Sequence, residues 1–200
     1  MTARALGKLT AAIQAGADVN GSDGGISALG IASRNGDLKI VDELLQYGAD
    51  VERHDDDLPH DMTPLMYAVQ SGHVDVVKVL LSHHANVNAW TNDGETPLYF
   101  ASSYNLARMQ IEHGADICAV TSEEMGCYSV LMMAVLRNKV DIVRLLVAQH
   151  VRLNGINSER QTALGIAVME KRYPIIKILR RHHAVKEVGQ PVRSVTPCRC

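Results

Sequence analysis

The densest set of metal- and proton-binding side chains lies in ERHDDDLPHDM, residues 52–62, with His54, Asp55, Asp56, Asp57, His60 and Asp61 close together. Carboxylate oxygens suit hard divalent cations, and imidazoles shift the preference towards zinc or nickel. The spacing fits no calcium loop, and Pro59 restricts convergence. His54, Asp55, Asp57 and His60 are therefore metal candidates set against a plainer reading, a solvated acidic finger that meets a basic partner. Histidines recur at His83 and His84, His113, His150, His182 and His183. Their even recurrence suits the ends of helices, where a left-handed residue or a cationic cap is needed. No nucleophile elbow, phosphate-cradling glycine loop or HExxH appears. Cys118 and Cys127 bracket one segment without a second cysteine pair, which argues against zinc. The expectation is no catalytic residue, no cofactor and no small-molecule substrate.

The elements that carry these residues repeat. SALGIA at 27–32, TPLMYA at 63–68, TPLYFA at 96–101, SVLMMA at 129–134 and TALGIA at 162–167 start 36, 33, 33 and 33 residues apart. Each precedes a second apolar block: IVDELLQYGADV, VVKVLLSHHANV, LARMQIEHGADI, IVRLLVAQHVRL and IIKILRRHHAVK. An orphan second block, LTAAIQAGADVN, precedes them all. Thr63 followed by Pro64 supplies a capping oxygen and a proline at the first helical position. Leu65, Ala68 and Val69 form one apolar face, Gly72-His73 turns the chain, and Val76, Val77, Leu80 and Leu81 stripe a second helix. Such a pair buries its stripe only by stacking on its neighbours, which predicts an elongated all-α solenoid.

With 200 residues, 46% of them hydrophobic, and a net charge of −2, the chain reads as ordered and soluble. Residues 1–150 carry 10 Lys/Arg against 19 Asp/Glu, net −9, and residues 151–200 carry 10 against 3, net +7. A field of that shape steers partners without identifying one, and the overall charge disfavours nucleic acid. No run approaches the roughly 20 apolar residues of a membrane helix. Few cysteines and no secretory core at the N-terminus imply an intracellular setting, cytoplasmic or nuclear.

The repeat resembles the ankyrin repeat over about residues 9–186. The implied organisation is a half repeat at 1–26 and full repeats at about 27–62, 63–95, 96–128, 129–161 and 162–186, then a basic flexible tail, 187–200. The family's histidine position holds Gly30, Met66, Tyr99, Met132 and Gly165 here, so its Thr–His network is not expected. The turn inside the third full repeat is three residues shorter than in the second, which predicts the softest layer. The resemblance implies a non-enzymatic, monomeric adaptor that binds a protein on its fingers and first-helix faces. The positions that carry over are Tyr67, Gln70, Trp90, Asn92, Asp93, Glu95, Phe100, Tyr104, Met125, Arg137 and Met169. Trp90, the only tryptophan, falls on a finger stem, with Tyr67, Phe100 and Tyr104 expected nearby. Asn88 and Asn154 fit the spacing read by asparaginyl hydroxylases. Cys198 and Cys200 resemble a double-cysteine prenylation signal, and the alternative reading is an adaptor tethered to a membrane through that tail.

Overall fold

The computed structural model describes residues 3–55 and 61–185, with side chains from residue 7 onward. Polar N-caps start the first helices of the repeats. Ser27, Thr63, Ser129 and Thr162 accept the amides of Gly30, Met66, Met132 and Gly165 at 3.0, 3.4, 3.3 and 3.1 Å. Each cap satisfies one of the donors that a helix N-terminus leaves open. The helices they open are α2 (Ala28–Asn35), α4 (Pro64–Ser71), α7 (Val130–Leu136) and α9 (Ala163–Met169). In the third full repeat the clipped chain makes only a 3₁₀ turn, Pro97–Phe100. Second helices α3 (Leu38–Gln46), α5 (Val74–Ser82), α6 (Tyr104–Glu112), α8 (Val140–Ala148) and α10 (Tyr173–Arg181) follow in turn. The orphan block forms α1 (Ala3–Gln14) and joins α3, where Thr10 donates to Glu43 Oε1 at 2.6 Å.

First helices pack on first helices, α2 on α4 and α7 on α9, with the 3₁₀ turn between α4 and α7. The expected stripes are inside: Leu65, Ala68, Val69, Val76, Val77, Leu80 and Leu81 are all buried. The fold is an all-α solenoid, with one small antiparallel hairpin, β1 (Ser22–Asp23) and β2 (Ile26–Ser27), in its first finger. Among the described residues no helix is long and apolar enough to cross a membrane.

The histidine reading holds. Second helices close on a left-handed residue, Gly48 and Gly114 at φ 81° and 85°, but His84, His150 and His183 at φ 64°, 58° and 62°. The next amide then bonds back into the helix in every case, as in Ala85 to Leu80 at 3.0 Å and Val151 to Leu146 at 3.2 Å. His113 caps differently, its Nδ1–H donating to the Met109 carbonyl at 2.9 Å.

The histidine missing from the first helices is replaced case by case. Met66 and Met132 are buried, and the Tyr99 hydroxyl donates to the carbonyls of Ala119, at 2.9 Å, and Tyr128. Side chains from the next layer meet the carbonyls left open at the ends of the first helices. His73 Nε2–H donates to Arg34 O at 3.1 Å, and Gly36 is needed beneath it, since a Cβ there would sit 2.4 Å from His73 Nδ1. Lys139 Nζ reaches Ser102 O at 2.9 Å, Arg137 reaches Tyr99 O, and Arg172 reaches Leu136 O at 3.4 Å. Cations suit the negative ends of these short helices. Two of them serve the clipped repeat, where no regular turn closes the helix.

Candidate partner-binding surface

Three fingers after α5, α6 and α8 are closed by the same device, a side-chain oxygen at the first position accepting the amide at the last. Thr91 Oγ1 takes Glu95 N at 3.2 Å, Thr121 Oγ1 takes Tyr128 N at 2.9 Å, and Asn157 Oδ1 takes Gln161 N at 2.8 Å. Main-chain bonds join finger to finger: Ser122 N donates to Asp93 O at 2.8 Å and Ser158 N to Gly126 O at 2.9 Å. Gly94 permits the first of these approaches, because a Cβ there would lie 2.9 Å from Ser122 N. Beneath the fingers runs a second ladder. Asn20 Oδ1 accepts Asp50 N at 2.8 Å, Glu52 Oε1 accepts Asn86 N at 2.7 Å, and Asn88 Oδ1 accepts Asp116 N at 2.7 Å. Asn154 Oδ1 accepts Val185 N at 2.9 Å, and Asn88 also donates to Gly114 O at 3.0 Å. The two asparagines singled out for modification are thus structural pins between layers.

On this scaffold Trp90 stands out of the stem, 68% exposed. It lines a recess of about 280 Å³ with Glu52, His54, Asp61, Asn86, Ala89 and Asn92. His54 Nδ1 lies 3.0 Å from Asp61 O and 3.3 Å from Asp61 Oδ1, so the ring donates its Nδ1–H towards Asp61. Glu52, Asn86 and Ala89 were not among the residues drawn from the sequence. Glu52 was nonetheless visible there, since it occupies the column of Asn20, Asn88 and Asn154.

The remaining positions divide. Gln70, Asn92, Tyr104, Met125, Arg137 and Met169 are exposed, Met169 at 63%, and Asp93 is half-buried. Tyr67 and Phe100 are each only 7% exposed and line no part of the Trp90 recess. Their rings instead lie under guanidinium groups, Arg34 at 5.8 Å over Tyr67 and Arg137 at 5.9 Å over Phe100. Glu95 is also buried, because its main chain closes the finger at both N and O.

Asp55 is withdrawn from the acidic finger into the layer. It is buried and accepts the Tyr67 hydroxyl at 2.5 Å. Burial raises its carboxyl above the usual range despite the opposing hydrogen bond from Tyr67. Burial and the nearby carboxylate likewise push the Tyr67 phenol well above its ordinary value. Asp55 is therefore committed away from any shared ion. Among the described residues no three His, Cys, Asp or Glu side chains are placed to hold a metal. Asp57, His60, Cys198 and Cys200 lie outside the described residues. On the second-helix side, a recess of about 440 Å³ between α8 and α10 carries Arg144, Lys177 and Arg181 around Val147, Pro174 and Ile178.

A family model for ankyrin repeats, three copies long, matches residues 29–121 and again 114–189. The chain belongs to the ankyrin-repeat family. It is 30% identical over 143 residues, 71% of its length, to a transient receptor potential cation channel subfamily A member 1 homolog of Caenorhabditis elegans. It is 34% identical over 125 residues, 60% of its length, to the B-cell lymphoma 3 protein homolog of Mus musculus. A putative ankyrin repeat protein of fowlpox virus, FPV031, is 31% identical over 150 residues, 71% of the chain. The matched segments span 11%, 26% and 43% of those three proteins. Ankyrin repeats are in general protein–protein interaction units without catalytic activity of their own.

Proposed function

We propose that this chain is a non-enzymatic adaptor that binds another protein along its fingers and first-helix faces, with Trp90 as the central anchor. The observation that carries the reading is an exposed indole on a stem held from both sides. Asn88, two residues before it, is pinned to Asp116 and Gly114, and Thr91, the next residue, closes the finger. Large apolar side chains concentrate interface energy when they are rigid and central. An indole that served only its own fold would bury more of itself than this one does. Asn92, Tyr104, Met125, Arg137 and Met169 are exposed as well and would extend that surface as a rim. The acidic recess beside Trp90 supports a protein partner over a phosphate-bearing one, because carboxylates repel nucleic acid.

The test is a pull-down with wild type and Trp90→Ala, followed by affinity measurement on the captured protein. Loss of ~2 kcal/mol or more with unchanged circular dichroism supports the anchor. Retention of full affinity overturns it.

A further inference from the structure

We propose that the recess beside Trp90 takes a lysine or arginine side chain of the docked protein. The proposal rests on the adaptor reading and adds the chemistry of the residue recognised. Two repeats contribute to the recess: Glu52, His54 and Asp61 come from the first full one, and Asn86, Ala89, Trp90 and Asn92 from the second. Both carboxylates are held in place with one oxygen still open. Glu52 spends Oε1 on the Asn86 amide and Asp61 keeps Oδ1 towards His54, and neither has a further partner among the described residues. The His54 ring, donating its Nδ1–H, steadies Asp61. Among the described residues no lysine or arginine lines the recess. A large exposed π face therefore stands beside two carboxylates, with no lysine or arginine beside them among the described lining residues.

Each alternative occupant meets a penalty. An acidic side chain is repelled by both carboxylates. An apolar one would strip water from Glu52 and Asp61 and return no hydrogen bond. Among the described residues no three His, Cys, Asp or Glu side chains are placed to hold a metal ion. A long cationic side chain satisfies every group at once. Its methylenes lie along the indole and Ala89 while its head reaches the open oxygens and the Asn86 and Asn92 amide carbonyls. A recess of about 280 Å³ has room for one such side chain and not for a secondary-structure element.

Trp90 is the only tryptophan in the chain, so its fluorescence reports the recess directly. The experiment titrates the whole protein with arginine amide and lysine amide, and with citrulline amide and Nε-acetyl-lysine amide as neutral isosteres. The expected result is a saturable spectral change, at least about tenfold tighter for each cation than for its isostere, and weaker at higher salt. Glu52→Gln with Asp61→Asn keeps the shape of both side chains and should weaken cation binding about tenfold or more. Equal binding of the isosteres, no saturation, or an unchanged double variant overturns the proposal. The two readings fail separately. If Trp90→Ala loses the captured protein while Glu52→Gln/Asp61→Asn keeps it, docking stands and cation recognition falls. If Trp90→Ala keeps the protein, docking at Trp90 falls whatever the amides do.

Discussion

Replacing Gln110 with leucine should stabilise the protein. In the second helices the equivalent position is Leu44, Leu80, Leu146 and Leu179, all fully buried, and Gln110 is just as buried at 0% exposed. Its Nε2 donates to Leu106 O at 3.2 Å, the carbonyl one helical turn back, and its Oε1 is buried without a partner among the described residues. An unsatisfied buried amide oxygen costs about 1–3 kcal/mol. Leucine removes that cost and adds apolar burial worth about 1–2 kcal/mol, while the lost side-chain bond returns about 1 kcal/mol. The net expectation is a gain of about 2 kcal/mol. The assay is urea denaturation, read as a rise in midpoint at constant slope. A thermal melt should rise by roughly 4–8 °C at this chain length. Hydrogen exchange locates the effect. The wild-type amides of α6 should exchange faster than those of α5, and Gln110→Leu should close the gap. A lower midpoint for the leucine variant would refute the reasoning, by showing that Oε1 is satisfied in solution. Wild-type α6 as protected as α5 would refute the idea that the clipped repeat is the soft layer.

Three further outcomes follow from the same geometry. His84→Gly and His150→Gly should each stabilise by about 0.5 kcal/mol, the left-handed strain of a residue with a Cβ less the entropy of glycine; both side chains are exposed, and Gly48→His should show the opposite sign in the same melt. Tyr67→Phe should cost about 2 kcal/mol at pH 7 by stripping the donor from buried Asp55. Asp55→Asn keeps an acceptor for that hydroxyl and should match or exceed wild type at pH 7. Because Asp55 is raised in the fold, wild type binds its proton more readily folded than unfolded. It therefore regains stability as pH falls through the folded value, and the advantage of the asparagine variant vanishes below about pH 4. Asn88→Ala removes the bonds to Asp116 N and Gly114 O; it should cost about 1 kcal/mol and speed exchange of the Asp116 amide.

The helices were legible because their signals are local. A capping hydroxyl with proline, the apolar stripe, and a histidine where the column wants a left-handed glycine all lie within one repeat. The surface was legible only as columns. Register places Tyr67 and Phe100 on the partner side, but it is silent on the arginines of other layers that lie across their rings. The same limit hid the Trp90 recess. Its carboxylates come from the repeat before, in the one stretch where the period lengthens by three residues, so no fixed spacing ties Glu52 or Asp61 to Trp90. Asp55 shows the converse. As a residue type it belonged with the acidic run, yet the Tyr67 hydroxyl on the neighbouring helix draws it inside. Contacts between layers, and not composition within one, decided these cases.

Those contacts also decide which charges remain for a partner. On the first-helix side Arg34 covers Tyr67, while Arg137 covers Phe100 and bonds Tyr99 O. Lys139 and Arg172 end on the carbonyls of Ser102 and Leu136. These four cations are engaged with rings and helix ends, so an acidic residue approaching any of them would have to displace an internal bond. Glu52 and Asp61 line the recess with one oxygen of each engaged, on Asn86 N and His54. On the second-helix side Arg144, Lys177 and Arg181 gather in one recess and make no carboxylate ion pair among the described residues. Beside Trp90 the recess is lined by Glu52 and Asp61, the charge that the proposed basic side chain of a partner would meet.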